Sequence, residues 1–146
     1  MKNRRIILSL SFPLVFALLV LGCASTAPLP PTLNIVPPGP DVPPEIAAFT
    51  GVWVGMWNSA LDTILVVEKI NAEQAEIIIS FGTGQGFEAR FFYATAKVVP
   101  GPAIEWTDNE GSKFTYTMDK ATGKIKGSLE EKGTGAKLWA YMTQKK

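Results

Sequence analysis

The chain predicts an all-β fold, an eight-stranded antiparallel up-and-down barrel over residues 49–146. Three observations predict it. Beyond residue 48 the apolar residues recur with period two in short segments, and no long 3.6-residue stripe is present. Turn residues separate these segments: Asn58-Ser59, Asn71-Ala72, Gly82 to Gly86, Pro100-Gly101-Pro102, Asp108 to Gly111, Asp119 to Gly123 and Gly133 to Gly135. Every spacing suits a hairpin, so the simplest order is a meander, and eight meandering strands close into a barrel without an exposed edge.

The elements follow in chain order. Lys2, Arg4 and Arg5 form a positive start, and Ile6 to Leu21 form an apolar run broken only by Ser9, Ser11 and Pro13. That run is shorter than the roughly 20 residues of a spanning helix and ends in small residues, as a signal peptide does. It closes on Val20-Leu21-Gly22-Cys23-Ala24, which resembles the lipobox of bacterial lipoprotein precursors. The resemblance implies a signal peptide over residues 1–22, cleavage between Gly22 and Cys23, and a diacylglycerol on the Cys23 thiol. It implies a lipid bilayer as partner and a cell-envelope location. Ala24, in place of aspartate, resembles the class sorted to the outer membrane, facing the periplasm, in a diderm host.

Residues 23–48 form the expected tether. Eight prolines fall between Ala24 and Pro44. Proline fixes φ and lacks an N–H, so this segment cannot join a sheet or sustain a helix and should be extended, as polyproline II is.

Eight strands then fit the pattern: Thr50–Trp57, Thr63–Ile70, Ala75–Phe81, Phe87–Val98, Ala103–Thr107, Lys113–Met118, Lys124–Glu130 and Lys137–Thr143. Alternation assigns faces. In the first strand Gly51, Trp53, Gly55 and Trp57 share a face with Phe49. In the sixth, Phe114, Tyr116 and Met118 lie opposite Lys113, Thr115 and Thr117. In the seventh, Ile125, Gly127 and Leu129 lie opposite Lys124, Lys126, Ser128 and Glu130. The third and fourth strands are apolar on both faces at Ile77-Ile78-Ile79 and Phe91-Phe92-Tyr93. That predicts either a covered outer face or an exposed apolar patch that would serve as an interaction surface.

Gly51-Val52-Trp53 resembles the Gly-x-Trp that opens the first strand of lipocalins and other calycins, which implies a lipocalin-like barrel. The late arginine that stacks on that tryptophan in lipocalins has no counterpart, since the arginine of the mature chain is Arg90. A wider stretch, roughly residues 49–130, resembles a small β module of secreted bacterial proteins. It includes Gly51-x-Trp53-x-Gly55-x-Trp57, Leu65 to Ile70, Phe81-Gly82, Thr115-Tyr116-Thr117 and Gly127-Ser128-Leu129. That likeness bears on fold and implies no chemistry.

Composition narrows the function. The chain has 14 basic and 13 acidic residues, no histidine and one cysteine. Loss of residues 1–22 leaves 11 basic and 13 acidic residues, a net charge of about −2. Nucleic-acid binding rests on phosphate neutralisation, so this balance speaks against it. Without histidine, and with its thiol given to lipid, the domain lacks Ser-His-Asp and Cys-His machinery and zinc-type ligands. No catalytic residue, cofactor or metal is expected. Gly82-Thr83-Gly84-Gln85-Gly86 leads into a strand and not a helix N-terminus, so it reads as a hairpin loop and not a phosphate cradle. Asp62, Glu68, Glu105 and Asp108 are candidate carboxylates for glycoside cleavage, but solvated surface positions explain them.

The aromatic set Trp53, Trp57, Trp106, Tyr116, Trp139 and Tyr141 supplies the candidate ligand wall. Small barrels fill with side chains, and somewhat wider ones hold one ligand. The expected function is non-enzymatic binding of a small apolar ligand or envelope component by a membrane-anchored lipoprotein. The alternative is a protein-interaction or inhibitor module acting on an envelope or secreted enzyme. Gly133-Thr134-Gly135-Ala136-Lys137 resembles a loop of small lysozyme-inhibiting lipoproteins. A cavity lined by Trp53, Tyr116 and Trp139 would favour the first, and an exposed Ile78/Phe91/Phe92 patch the second.

Overall fold

A computed structural model describes residues 26–84, 86 and 88–146. The expected signal peptide over residues 1–22 and the expected lipidation site Cys23 lie outside the described residues. A short helix, α1 (Pro44–Ala47), precedes eight strands: β1 (Gly51–Trp57), β2 (Asp62–Ile70), β3 (Gln74–Phe81), β4 (Arg90–Val99), β5 (Ala103–Thr107), β6 (Lys113–Asp119), β7 (Lys124–Glu130) and β8 (Lys137–Gln144). Each strand pairs antiparallel with the next, and β8 pairs with β1, closing the barrel that the turn spacing predicts. Boundaries shift by a residue or two, except that β4 begins at Arg90; its expected start, Phe87, lies outside the described residues.

The inward faces follow the alternation. Trp53 and Trp57 of β1 meet Leu65 and Val67 of β2, Ile77 and Ile79 of β3, Tyr116 of β6 and Ile125 of β7 in one core. Closure at β1–β8 depends on a glycine. A Cβ on Gly55 would collide with the Tyr141 carbonyl oxygen and lie 3.1 Å from the Met142 Cα. In β2 the register shifts between Val67 and Lys69, so Ile70 and not Lys69 continues the inward row. A bulge leaves its extra residue outside the ladder, and here the freed Glu68 carbonyl accepts the Val36 N–H at 2.8 Å.

Residues 26–39 carry no helix or strand, in keeping with their prolines, and the chain turns into α1 only at Pro44, but the segment does not stand away from the barrel. The Thr26 N–H and hydroxyl both donate to Asp62 Oδ2, at 2.8 and 2.9 Å. The Ser80 hydroxyl donates to the Pro28 carbonyl, and the Asn34 N–H donates to Glu68 Oε1 at 2.6 Å. Between these ties Ala27, Leu29 and Leu33 pack on Ile64, Val66 and Ile78. That accounts for the two-sided apolar pattern at Ile77-Ile78-Ile79 and for Phe91 of β4, and it covers the outer face of β2 as well: the segment supplies a cover that costs no unpaired proline donors. Among the described residues the packed unit therefore includes 26–48, which the sequence alone reads as a tether.

The segment then crosses one end of the barrel. Pro44 opens α1 at a position where its missing N–H costs nothing. Val42, Ile46 and Phe49 are buried in the main core below Trp53, and the Trp53 Nε1–H donates to the Phe49 carbonyl at 2.7 Å. This plug closes the end at which β1 begins.

Candidate functional site

The other end is open. It is built by the residues where β1, β3, β5 and β7 finish and β2, β4, β6 and β8 begin, and it holds a cavity of about 670 Å³. Cavities of this size are typical of small-molecule sites. Phe114 of β6 forms its centre, with Trp106 at 4.6 Å between ring centroids, Phe81 at 6.1 Å and Trp57 packed edge-on at 6.2 Å. Phe92 extends the aromatic wall, 6.4 Å from Phe81. Leu61, Leu129 and Leu138 complete the apolar lining. Tilted and edge-on aromatic pairs each add roughly 0.5–1.5 kcal/mol beyond area burial, so this wall is preformed.

The rim is polar and carries both signs. Arg90 and Lys132 face Asp108, Glu110 and Glu131 around the cavity mouth. The Arg90 guanidinium lies 5.2 Å from the centre of the Phe92 ring. Asp108 organises its own loop: its Oδ1 accepts the N–H groups of Glu110 and Ser112 at 2.9 and 2.8 Å. The Lys132 N–H donates to the Ser112 hydroxyl at 3.3 Å, tying the β7–β8 loop to the β5–β6 loop. The arrangement can hold an apolar body against rings and leucines while a neutral or zwitterionic head meets charges of both signs. A simple anion would face three carboxylates against two cations.

The six aromatic candidates separate into three places. Trp106 lines the cavity. Trp53, Trp57 and Tyr116 are buried in the core beneath it. The Trp57 indole N–H and the Tyr116 hydroxyl have no hydrogen-bond partner among the described residues, and burial pushes the Tyr116 hydroxyl pKa above its ordinary value. Trp139 and Tyr141 point out of the barrel and are 47% and 62% exposed. Their strand reads Leu-Trp-Ala-Tyr-Met, apolar on both faces, so composition leaves its parity open. Pairing decides it: Ala140 sits opposite Trp57 on one side and Gly127 on the other, and only a small inward residue leaves room there.

The lining that sequence reasoning missed is Leu61, Phe81, Phe92 and Leu138. Its signal was topological: in a meander all four fall at strand ends on the same side. The candidate carboxylates do not converge. Asp62 holds Thr26, Glu68 holds Asn34, Glu105 pairs with Lys113 at 2.8 Å, and Asp108 braces its loop. Among the described residues no group of carboxylates could hold a metal ion. A second depression of about 540 Å³ at the plugged end is shallow and walled by Val98 to Pro102 and Lys120. No protein-family model matches the chain, and neither does any curated protein or solved structure.

Proposed function

We propose that this protein is a lipid-anchored envelope lipoprotein whose barrel binds one small amphiphile, non-enzymatically, at its open end. The cavity carries the reading: about 670 Å³, walled by Phe81, Trp106, Phe114 and Leu138, with a rim of mixed charge. The lipobox-like Val20 to Ala24 supports the anchor, and the absence of histidine supports a binding role over a catalytic one. A protein-partner reading drew on an exposed Ile78/Phe91/Phe92 patch. Ile78 is fully buried under the N-terminal segment, Phe91 packs against the same cluster, and Phe92 turns to the cavity mouth.

Titration with a fluorescent zwitterionic single-chain amphiphile tests the reading. One equivalent should bind, with its signal reporting an apolar site. Leu129→Trp fills the cavity from a half-buried wall position and should weaken binding by at least about tenfold, the equivalent of 1.4 kcal/mol. Unchanged affinity in a variant with native circular dichroism would exclude this cavity as the site.

A further inference from the structure

The path of the N-terminal segment orients the molecule. Thr26 is held at the open end, where its N–H and hydroxyl meet Asp62, the first residue of β2. Gly82, just beyond β3, makes that contact possible: a Cβ there would collide with the Thr26 hydroxyl oxygen and approach the Asp62 Cβ at 2.9 Å. Cys23 is three positions before Thr26, with only Ala24 and Ser25 between them, and an extended chain spans at most about 3.6 Å per residue. Cys23 is therefore within about 11 Å of the open rim. The plugged end lies a full strand length further away.

The exposed apolar residues of the strands have the same polarity, while Ile35 and Val36 of the N-terminal segment are exposed beside Glu68, toward the other end of β2. The large apolar side chains that strands expose are Met56, Phe92, Tyr93, Trp139 and Tyr141. Met56 is one residue from the open end of β1 and pairs with Tyr141. Phe92 and Tyr93 are the third and fourth residues of β4, and Trp139 is the third of β8, both counted from the open end. Tyrosine and tryptophan, apolar in body and polar at the tip, suit the headgroup layer of a bilayer. Among the described residues the plugged end carries Glu45, Asn71, Glu73, Lys120 and the terminal Lys145-Lys146 without exposed strand aromatics, whereas the open rim sets Arg90, Lys132, Asp108, Glu110 and Glu131 beside them.

We infer that the open end of the barrel lies against the bilayer that holds the anchor, so that the cavity mouth opens onto lipid and not onto water. The inference rests on the lipid-anchor reading of Cys23. Its partner is a zwitterionic phospholipid surface, because a rim of Asp108, Glu110 and Glu131 against Arg90 and Lys132 matches headgroups of both signs and gains nothing from an anionic one. Contact is apolar and tethered, so it should survive high salt.

The test uses the full lipidated chain, purified from its host and reconstituted in phosphatidylcholine vesicles. Acylated Cys23 leaves no free thiol, so Asn109→Cys in the β5–β6 loop and Ala121→Cys in the β6–β7 turn each accept a single spin label. Both sites are exposed in the isolated molecule. The Asn109 label should collide with membrane-dissolved oxygen several-fold more than with an aqueous nickel chelate, relative to the Ala121 label. Raising the salt should leave that ratio unchanged. Mass analysis of the N-terminal peptide separates the two ways to fail. A chain without acyl groups on Cys23 overturns the anchor and the orientation together. An acylated chain whose labels read alike, or whose Ala121 label is the lipid-facing one, overturns the orientation alone.

Discussion

Tyr116 shows what a single buried polar atom does in this barrel. Its side chain is fully buried between β5 and β7, and its hydroxyl finds no partner among the described residues. An unsatisfied buried hydroxyl costs roughly 1–3 kcal/mol, less where a buried water meets it. Burial also disfavours the phenolate, which raises the pKa above the ordinary tyrosine value of about 10. The sign follows. Above about pH 10 the unfolded chain gives up this proton while the native state keeps it, so stability falls as pH rises, by up to about 1.4 kcal/mol per pH unit. Tyr116→Phe should be neutral or more stable by up to about 1 kcal/mol near neutrality. It should also remove this part of the alkaline loss when urea unfolding is compared at about pH 9 and about pH 11. Equal alkaline slopes in both proteins would mean that the hydroxyl is hydrated or bonded in the native state.

At the scale of elements, the N-terminal segment and β2–β3 form one packing unit. Gly82→Val places methyl groups where Thr26 and Asp62 now meet, and overpacking of this kind costs roughly 1–3 kcal/mol. The expected outcome is local release. The Val36 N–H, now bonded to the Glu68 carbonyl, should exchange with deuterium faster, while amides of β6 and β7 keep their protection. Uniform loss of protection would show instead that the whole barrel had been weakened. The strand order and most faces of this fold were legible, because period two and turn chemistry act locally: Phe114, Tyr116, Met118 and Ile125 face inward as their alternation requires. The cover over β2 and β3 was half legible. Ile77-Ile78-Ile79 announced a covered face or an exposed patch, and eight prolines announced an extended chain, but joining them depends on the contacts of Thr26, Pro28 and Asn34 across 34 to 52 residues. Of the site, Trp106 was legible only as one of six aromatic candidates, and it lines the cavity. The outward turn of Trp139 and Tyr141 was not, because pairing with Ala140 and not composition fixes the parity of β8.

For the whole molecule, the proposed anchor residue Cys23 and the cavity are close along the chain yet separable. Cys23 lies outside the cavity lining, whose walls come from the β1–β2 turn, at Ser59 and Leu61, and from β3 to β8 with the loops that join them. Cys23→Ser should therefore separate two properties that otherwise travel together. The variant should lose acyl mass and leave the outer-membrane fraction for a soluble or signal-retained form, because the exposed Met56, Tyr93, Trp139 and Tyr141 are scattered side chains and not a continuous membrane-spanning band. Its affinity for a zwitterionic amphiphile in solution should stay within about twofold of the acylated protein measured in detergent, since no wall residue is touched. Transfer of that amphiphile out of vesicles should slow markedly, because an untethered mouth must first find the surface and orient on it, whereas a tether makes that step intramolecular. Unchanged fractionation would overturn the anchor, and unchanged transfer would sever the link between anchoring and loading.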